Sequence, residues 1–310
     1  MQRFFQLERV IRRAPLGMRF VDIIRDVTVS DSLLVQAWQK ATSGPKQTAL
    51  VSPISGVHGF RSLPDLARYE AGERPASYWC ASPGDATPPD DWASSGALYG
   101  WVNAAEGVAK ANFIVTVQDL QGRFLPELLF LCLPREALLE VPLFSSPART
   151  PLAGFGVIRG QLVRNDGVEA GQPAGWARIT AFLGDHTYEA IADARGMFVV
   201  FVPYARFPAL QNGGAGPAGE YVAQLTWDVT IQISYQPSQL IFVPEVGSPN
   251  THLFIGPPDM RSIIEQGRAK VYQKAGQASG ELSAQLPFGR DLVVTTGGQQ
   301  SLLFIDPALP

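Results

Sequence analysis

Few residues of this chain are of the types that do chemistry, and none is spaced for it. Its three histidines, His58, His186 and His252, each stand alone. No Cys or His lies at metal-ligand spacing from any of them, so a zinc site would need all of them to converge from distant segments. His186 follows Asp185 in a Gly-Asp-His stretch that reads as a polar turn. The two cysteines, Cys80 and Cys132, are far apart and read as buried thiols, with a disulfide as the alternative. Asp90 and Asp91, with Asp85 nearby, are adjacent acids in a Pro-rich stretch. Solvation explains them, and the sharper alternatives are a catalytic carboxylate pair or a calcium site needing six or more converging oxygens. There is no phosphate-cradling Gly-rich loop before Lys-Ser/Thr, and no Gly-x-Gly-x-x-Gly between a strand and a helix. Ser55-Gly56 lacks the leading glycine of a nucleophile elbow. The expectation is therefore no catalytic residues, no metal and no organic cofactor.

The elements that would position any site are short apolar runs between turn residues. Val157–Val163, Trp176–Leu183 and Met197–Val202 are rich in β-branched and aromatic residues. In the second of them Trp176, Ile179, Ala181 and Leu183 oppose Arg178 and Thr180. This period-two pattern reads as paired antiparallel strands. Asp193-Ala194-Arg195-Gly196 turns the chain between two of them, with Gly196 suited to positive φ. An Asp-x-x-Gly-x-Phe spacing occurs at Asp119–Phe124 and again at Asp193–Phe198. Further strands are expected at Met18–Ile24, Leu33–Trp38, Asn112–Val117, Leu128–Leu133 and Tyr221–Tyr235, and a closing hairpin at Leu292–Ile305. Short helices are expected only near Asp65 and Ser262, the latter capped by Asp259 and stopped by Gly267.

A chain of 310 residues exceeds one small sandwich, and 46% hydrophobic with 17% charged residues supports real cores. The fold class is all-β: two or three immunoglobulin- or transthyretin-like β-sandwich domains with long loops and few short helices. The divisions are 1–150, 151–245 and 246–310, the last a β extension closing on the others. The Pro-rich stretch Ser145–Pro151 marks the first boundary. Residues 71–110 form an insertion carrying Tyr78, Trp79, Trp92, Tyr99 and Trp101. A loop rich in Trp and Tyr either packs inward or docks on a partner, and these five are the candidate docking residues. Gln211–Gly219 is a second candidate docking loop, flexible by composition. A net charge of −3 gives no electrostatic footprint for nucleic acid or an anionic membrane. The N-terminus has no continuous apolar core of a secretory signal, and no apolar run approaches the roughly 20 residues that span a bilayer. The expected location is the cytoplasm.

The central stretch resembles the carboxypeptidase regulatory-like domain. The resemblance rests on Val157-x-Arg159-Gly160-x-Leu162, Pro173-x-x-Trp176-Ala177-x-Ile179, Ala192-Asp193-x-x-Gly196-x-Phe198 and Val202-Pro203. It implies a small sandwich serving as an accessory module without catalytic residues. A wider set resembles a protein encoded with bacterial contractile injection systems, which are phage-tail-like particles. That set is Pro15–Asp22, Asp119-x-x-Gly122-Arg123-Phe124-Leu125-Pro126, Val141–Pro147 and Pro173–Ala177. This resemblance implies a non-enzymatic structural component in multiple copies, partnered by tube, sheath, baseplate or cap subunits. The other class to weigh is a carbohydrate- or cell-surface-binding sandwich.

Trp79 and Trp92 separate core from docking surface. As docking anchors, each replaced by Ala leaves the melting temperature unchanged and costs about 2 kcal/mol or more of binding, read as lost incorporation into the assembly. As core residues, each costs about 3–5 kcal/mol of stability, read as early melting. Early melting of both variants ends the docking idea.

Overall fold

The computed structural model describes residues 16–39, 46–60, 63, 111–133, 138–167, 169–204, 225–243, 256–274, 276–298 and 301–308. The chain is all-β. Among the described residues the one α-helix is α1, Met260–Ile264, at the position expected around Ser262. The region around Asp65 lies outside the described residues.

The first sandwich is built from β1 (Gly17–Asp22), β2 (Val27–Val29), β3 (Leu33–Gln39), β4 (Gln47–Thr48), β5 (Leu50–Val51), β6 (His58–Gly59), β7 (Ala111–Asp119), β8 (Glu127–Leu133) and β9 (Leu139–Leu143). One sheet centres on β1, flanked by β2 and β6 along one edge and by parallel β9 along the other. The other runs β4-β3-β7-β8, all antiparallel. Strict alternation in β1 sends Met18, Phe20 and Asp22 inward and leaves Gly17, Arg19 and Val21 less buried. The inward rows of both sheets, including Met18, Phe20, Val35, Phe113, Val115, Leu129 and Val141, form one core.

The second sandwich contains β10 (Phe155–Arg164), β11 (Arg178–Leu183), β12 (His186–Ile191), β13 (Met197–Pro203), β14 (Thr226–Ser234), β15 (Lys270–Lys274), β16 (Gln277–Ser279), β17 (Leu282–Pro287), β18 (Leu292–Val293) and β19 (Leu302–Asp306). Its sheets run β13-β10-β19-β15-β16 and β12-β11-β14-β17. Strands drawn from 246–310 therefore pair directly with strands of 151–245 around a shared core of Ile158, Ile179, Val200, Ile231, Leu286 and Leu303.

The segment Leu292–Ile305 departs from the expected hairpin. β18 and β19 both run parallel to β10, at Ile158–Arg159 and Gln161–Arg164 respectively. They are two pieces of one edge, interrupted where Gly297 swings out and donates its N–H to Gln273. Trp176 departs too. It precedes β11 in a turn at φ +65, a conformation costly for a bulky residue, and its carbonyl accepts the Gln266 side-chain amide at 2.8 Å. Its indole joins the first core, together with Ile191.

The two Asp-x-x-Gly-x-Phe stretches build the same turn. The Asp119 carboxylate accepts the N–H groups of Gln121 and Arg123, and its carbonyl accepts that of Gly122. The Asp193 carboxylate accepts the N–H groups of Arg195 and Met197, and its carbonyl accepts that of Gly196. Gly122 and Gly196 sit at φ +68 and +76. A Cβ at Gly196 would lie 2.4 Å from the Leu162 carbonyl oxygen, so backbone packing as well as φ demands glycine there. The topologies differ: Asp119 links two strands of one sheet, whereas Asp193 carries the chain from one sheet to the other.

One ion pair ties the boundary segment into this frame. Arg149 donates to both carboxylate oxygens of Asp22, at 3.2 and 2.6 Å, and to Ser145 Oγ at 2.8 Å. Both partners are nearly fully buried, at 6% and 2% side-chain exposure. Removing one member of such a pair strands the other charge in the interior. Arg149→Ala is expected to lose about 3–5 kcal/mol in urea denaturation, and Asp22→Ala a similar amount. A loss below about 1 kcal/mol, the range of an exposed pair, would mean the contact is dispensable.

Candidate functional site

Tyr78, Trp79, Trp92, Tyr99 and Trp101 lie outside the described residues, as do Cys80, His252, Asp85, Asp90, Asp91 and the loop Gln211–Gly219. His58 and His186 do not meet. His58 is buried on β6, edge-on to Phe20 with ring centroids 5.0 Å apart. Burial holds its pKa below the usual value, against a hydrogen bond with the Gly56 backbone that raises it. His186 is exposed and opens β12, while Gly184 and Asp185 alone make the two-residue turn. Among the described residues no group of three His, Cys, Asp or Glu is placed to hold a metal ion. Nor is any described helix long and apolar enough to cross a membrane.

What the chain does assemble is a junction between its sandwiches. β13 shows why. Its run Met-Phe-Val-Val-Phe-Val is apolar at both parities, so it buries both faces. Phe198, Val200 and Val202 face the second core. Val199 and Phe201 face the opposite way, with Val157 of β10, and pack against Ile24 just beyond β1. Arg149 lies between aromatic rings of the two sandwiches, its guanidinium carbon 4.8 Å from the Phe124 ring centre and 5.7 Å from that of Phe201. Arg159 of β10 adds a hydrogen bond to the Pro147 carbonyl at 3.0 Å. The Pro- and Ser-rich stretch around Arg149 is thus pinned from both sides.

A second contact closes the junction elsewhere. Met260 and Ile263 of α1 enter the first core beside Trp176 and Ile191. Asp259, which the sequence marks as a helix cap, makes no side-chain capping bond. Its carboxylate is diverted to the edge of β8, where it accepts the Phe130 N–H at 3.0 Å. Ser262 Oγ donates to the Asp259 carbonyl and accepts the Ile241 N–H. Gln266 donates to the carbonyls of Trp176 and Ile263 and accepts the Gln236 N–H. Asp259, Ser262, Gln266 and Gln236 are all buried, and none of them leaves a fully buried side-chain polar atom without a partner.

Exposed apolar side chains gather on the β5–β6 hairpin. Ile54 at its tip is 98% exposed, and Leu50 and Val51 are half exposed just before it. No family model matches the chain, and no curated protein matches it.

Three acidic residues, Asp119 and Glu127 of the first sandwich and Asp259 before α1, sit in contrasting surroundings. Burial alone would raise Asp119, but the Arg123 guanidinium and the N–H groups of Arg123 and Gln121 outweigh it and hold its carboxyl below the usual range. Asp259 is pushed up to about 6 by burial, against the N–H groups of Phe130 and Ser262. Glu127, on the core-facing row of β8 with Leu129 and Leu131, is pushed well above the usual range by burial, which outweighs the opposing effect of the Phe144 backbone N–H.

The Glu127 placement fixes a sign. A carboxyl whose pKa is raised on folding is favourable in acid, and that contribution disappears as pH rises through the folded pKa. Glu127→Gln is therefore expected to flatten the decline of stability towards alkaline pH, and to be at least as stable as the wild type at pH about 8. Parallel stability–pH curves for the two proteins would show that Glu127 finds solvent or a partner in the folded chain.

Proposed function

We propose that the chain is a non-enzymatic structural adaptor of a phage-tail-like contractile injection particle. In this reading it assembles in multiple copies through protein–protein contacts at the baseplate or cap. The observation that carries the reading is the junction. Two sandwiches joined by a buried ion pair, interleaved aromatics and a buried polar network form a stiff spacer, and an adaptor must hold its two faces at fixed separation. The carboxypeptidase regulatory-like character read between Val157 and Pro203 fits the same role, since such sandwiches act as accessory modules. The apolar hairpin carrying Leu50, Val51 and Ile54 offers a contact surface that solvent exposure alone does not favour.

The test is assembly. An affinity-tagged copy expressed together with sheath, tube and baseplate genes is expected to co-sediment with intact particles and to appear at a fixed stoichiometry. Its deletion is expected to stop particles from being completed. Normal particles formed without it, with the tagged chain left in the unsedimented fraction, would overturn the reading.

A further inference from the structure

The contact between α1 and β8 is unusual in what closes it. Asp259 forms a parallel bridge with Leu128, and the ladder then stops because the chain turns into α1. The next outward N–H along that edge, that of Phe130, is taken by the Asp259 carboxylate instead of a strand carbonyl. A side chain that can carry a charge therefore stands in for a neutral peptide group. It does so at a buried position where an ionised carboxylate is poorly solvated.

We propose that Asp259 is a proton-operated latch that holds the segment Asp259–Gln266 on the edge of β8, closing tightly in acid and loosening towards neutral pH. The same segment binds the second sandwich through Gln266 to the Trp176 carbonyl, and the chain just beyond it does so through the Ala269 N–H to the Ile233 carbonyl. The latch thus regulates one of the two ties between the sandwiches, while the Asp22–Arg149 tie remains. It stands on the fold alone and is independent of the contractile-particle reading.

The charges around Asp259 permit this behaviour. Arg261 of α1 favours its ionised form and Glu265 opposes it, and those two also pair with each other. β8 contributes Glu127, and Leu240–Val243 carries no ionisable group. No buried cation is paired with Asp259 among the described residues. With the latch closed the carboxyl titrates at about 6, against 3.8 for the solvated group. Opening therefore becomes easier as pH rises through this window and levels off above it.

Amide hydrogen exchange of the full chain tests the latch directly. Dividing the observed rate by the intrinsic rate at each pH gives a protection factor for the Phe130 N–H. This factor is expected to fall on the order of 100-fold between pH about 4 and about 7, following the difference between the closed and solvated carboxyl. Amides in the middle of β7, such as Val115, are expected to hold level. Asp259→Asn is expected to abolish the Phe130 response, and Glu127→Gln to leave it in place. A Phe130 protection factor that does not change with pH in the wild-type chain overturns the latch, even if Asp259→Asn fails to fold. So does a fall shared equally by Val115, which would be global unfolding, or a response that survives in Asp259→Asn.

Discussion

The arrangement of this molecule depends on one buried charge pair. Asp22 ends β1 on an inward row that is otherwise apolar, a position that is tolerable for a carboxylate only with a close cation. Arg149 is that cation, and it comes from the segment that joins the sandwiches. Because its guanidinium also lies against Phe124 and Phe201, neutralising Asp22 fixes the path of the joining segment and the approach of the second sandwich together. Apolar groups of similar size could fill the same space at equal or better stability. What they would lack is the directional, bidentate geometry that selects one orientation.

The rest of the junction follows from that orientation. Trp176 accepts a strained backbone because its indole then reaches the first core and its carbonyl meets Gln266. The outer face of β13 is apolar because it has a sandwich to face. A body held at several separated places resists bending in more than one direction.

Legibility in the sequence tracked the range of the interactions. The Asp119 and Asp193 turns were readable because every partner of the two carboxylates lies within five residues, and the same six-residue spacing gave the same geometry twice. Strands with clean alternation, such as β1 and β14, were readable for the same local reason. The apolar run of β13 was readable as a strand, whereas the cover on its second face comes from Ile24, which no local pattern points to. Arg149 and Asp22 are 127 residues apart, and neither type nor spacing pairs them. Asp259 has the right type and position for a helix cap, yet a strand edge competes for its carboxylate and wins. Glu127 looks like a surface acid at the head of a strand, and only the closed core reveals its cost. The segment Leu292–Ile305 misled because two short apolar runs around Gly-Gly resemble a hairpin, whereas both follow β10 in the same direction.

The most direct test of a single locked body is its rotational diffusion. Nitrogen-15 relaxation of backbone amides in the wild-type chain reports tumbling separately for each sandwich. One correlation time is expected for amides of β3 and β7 and for those of β11 and β14, appropriate to the whole 33.6 kDa chain. Two distinct, shorter correlation times would contradict it, because sandwiches that tumble independently cannot be held by the Asp22–Arg149 pair.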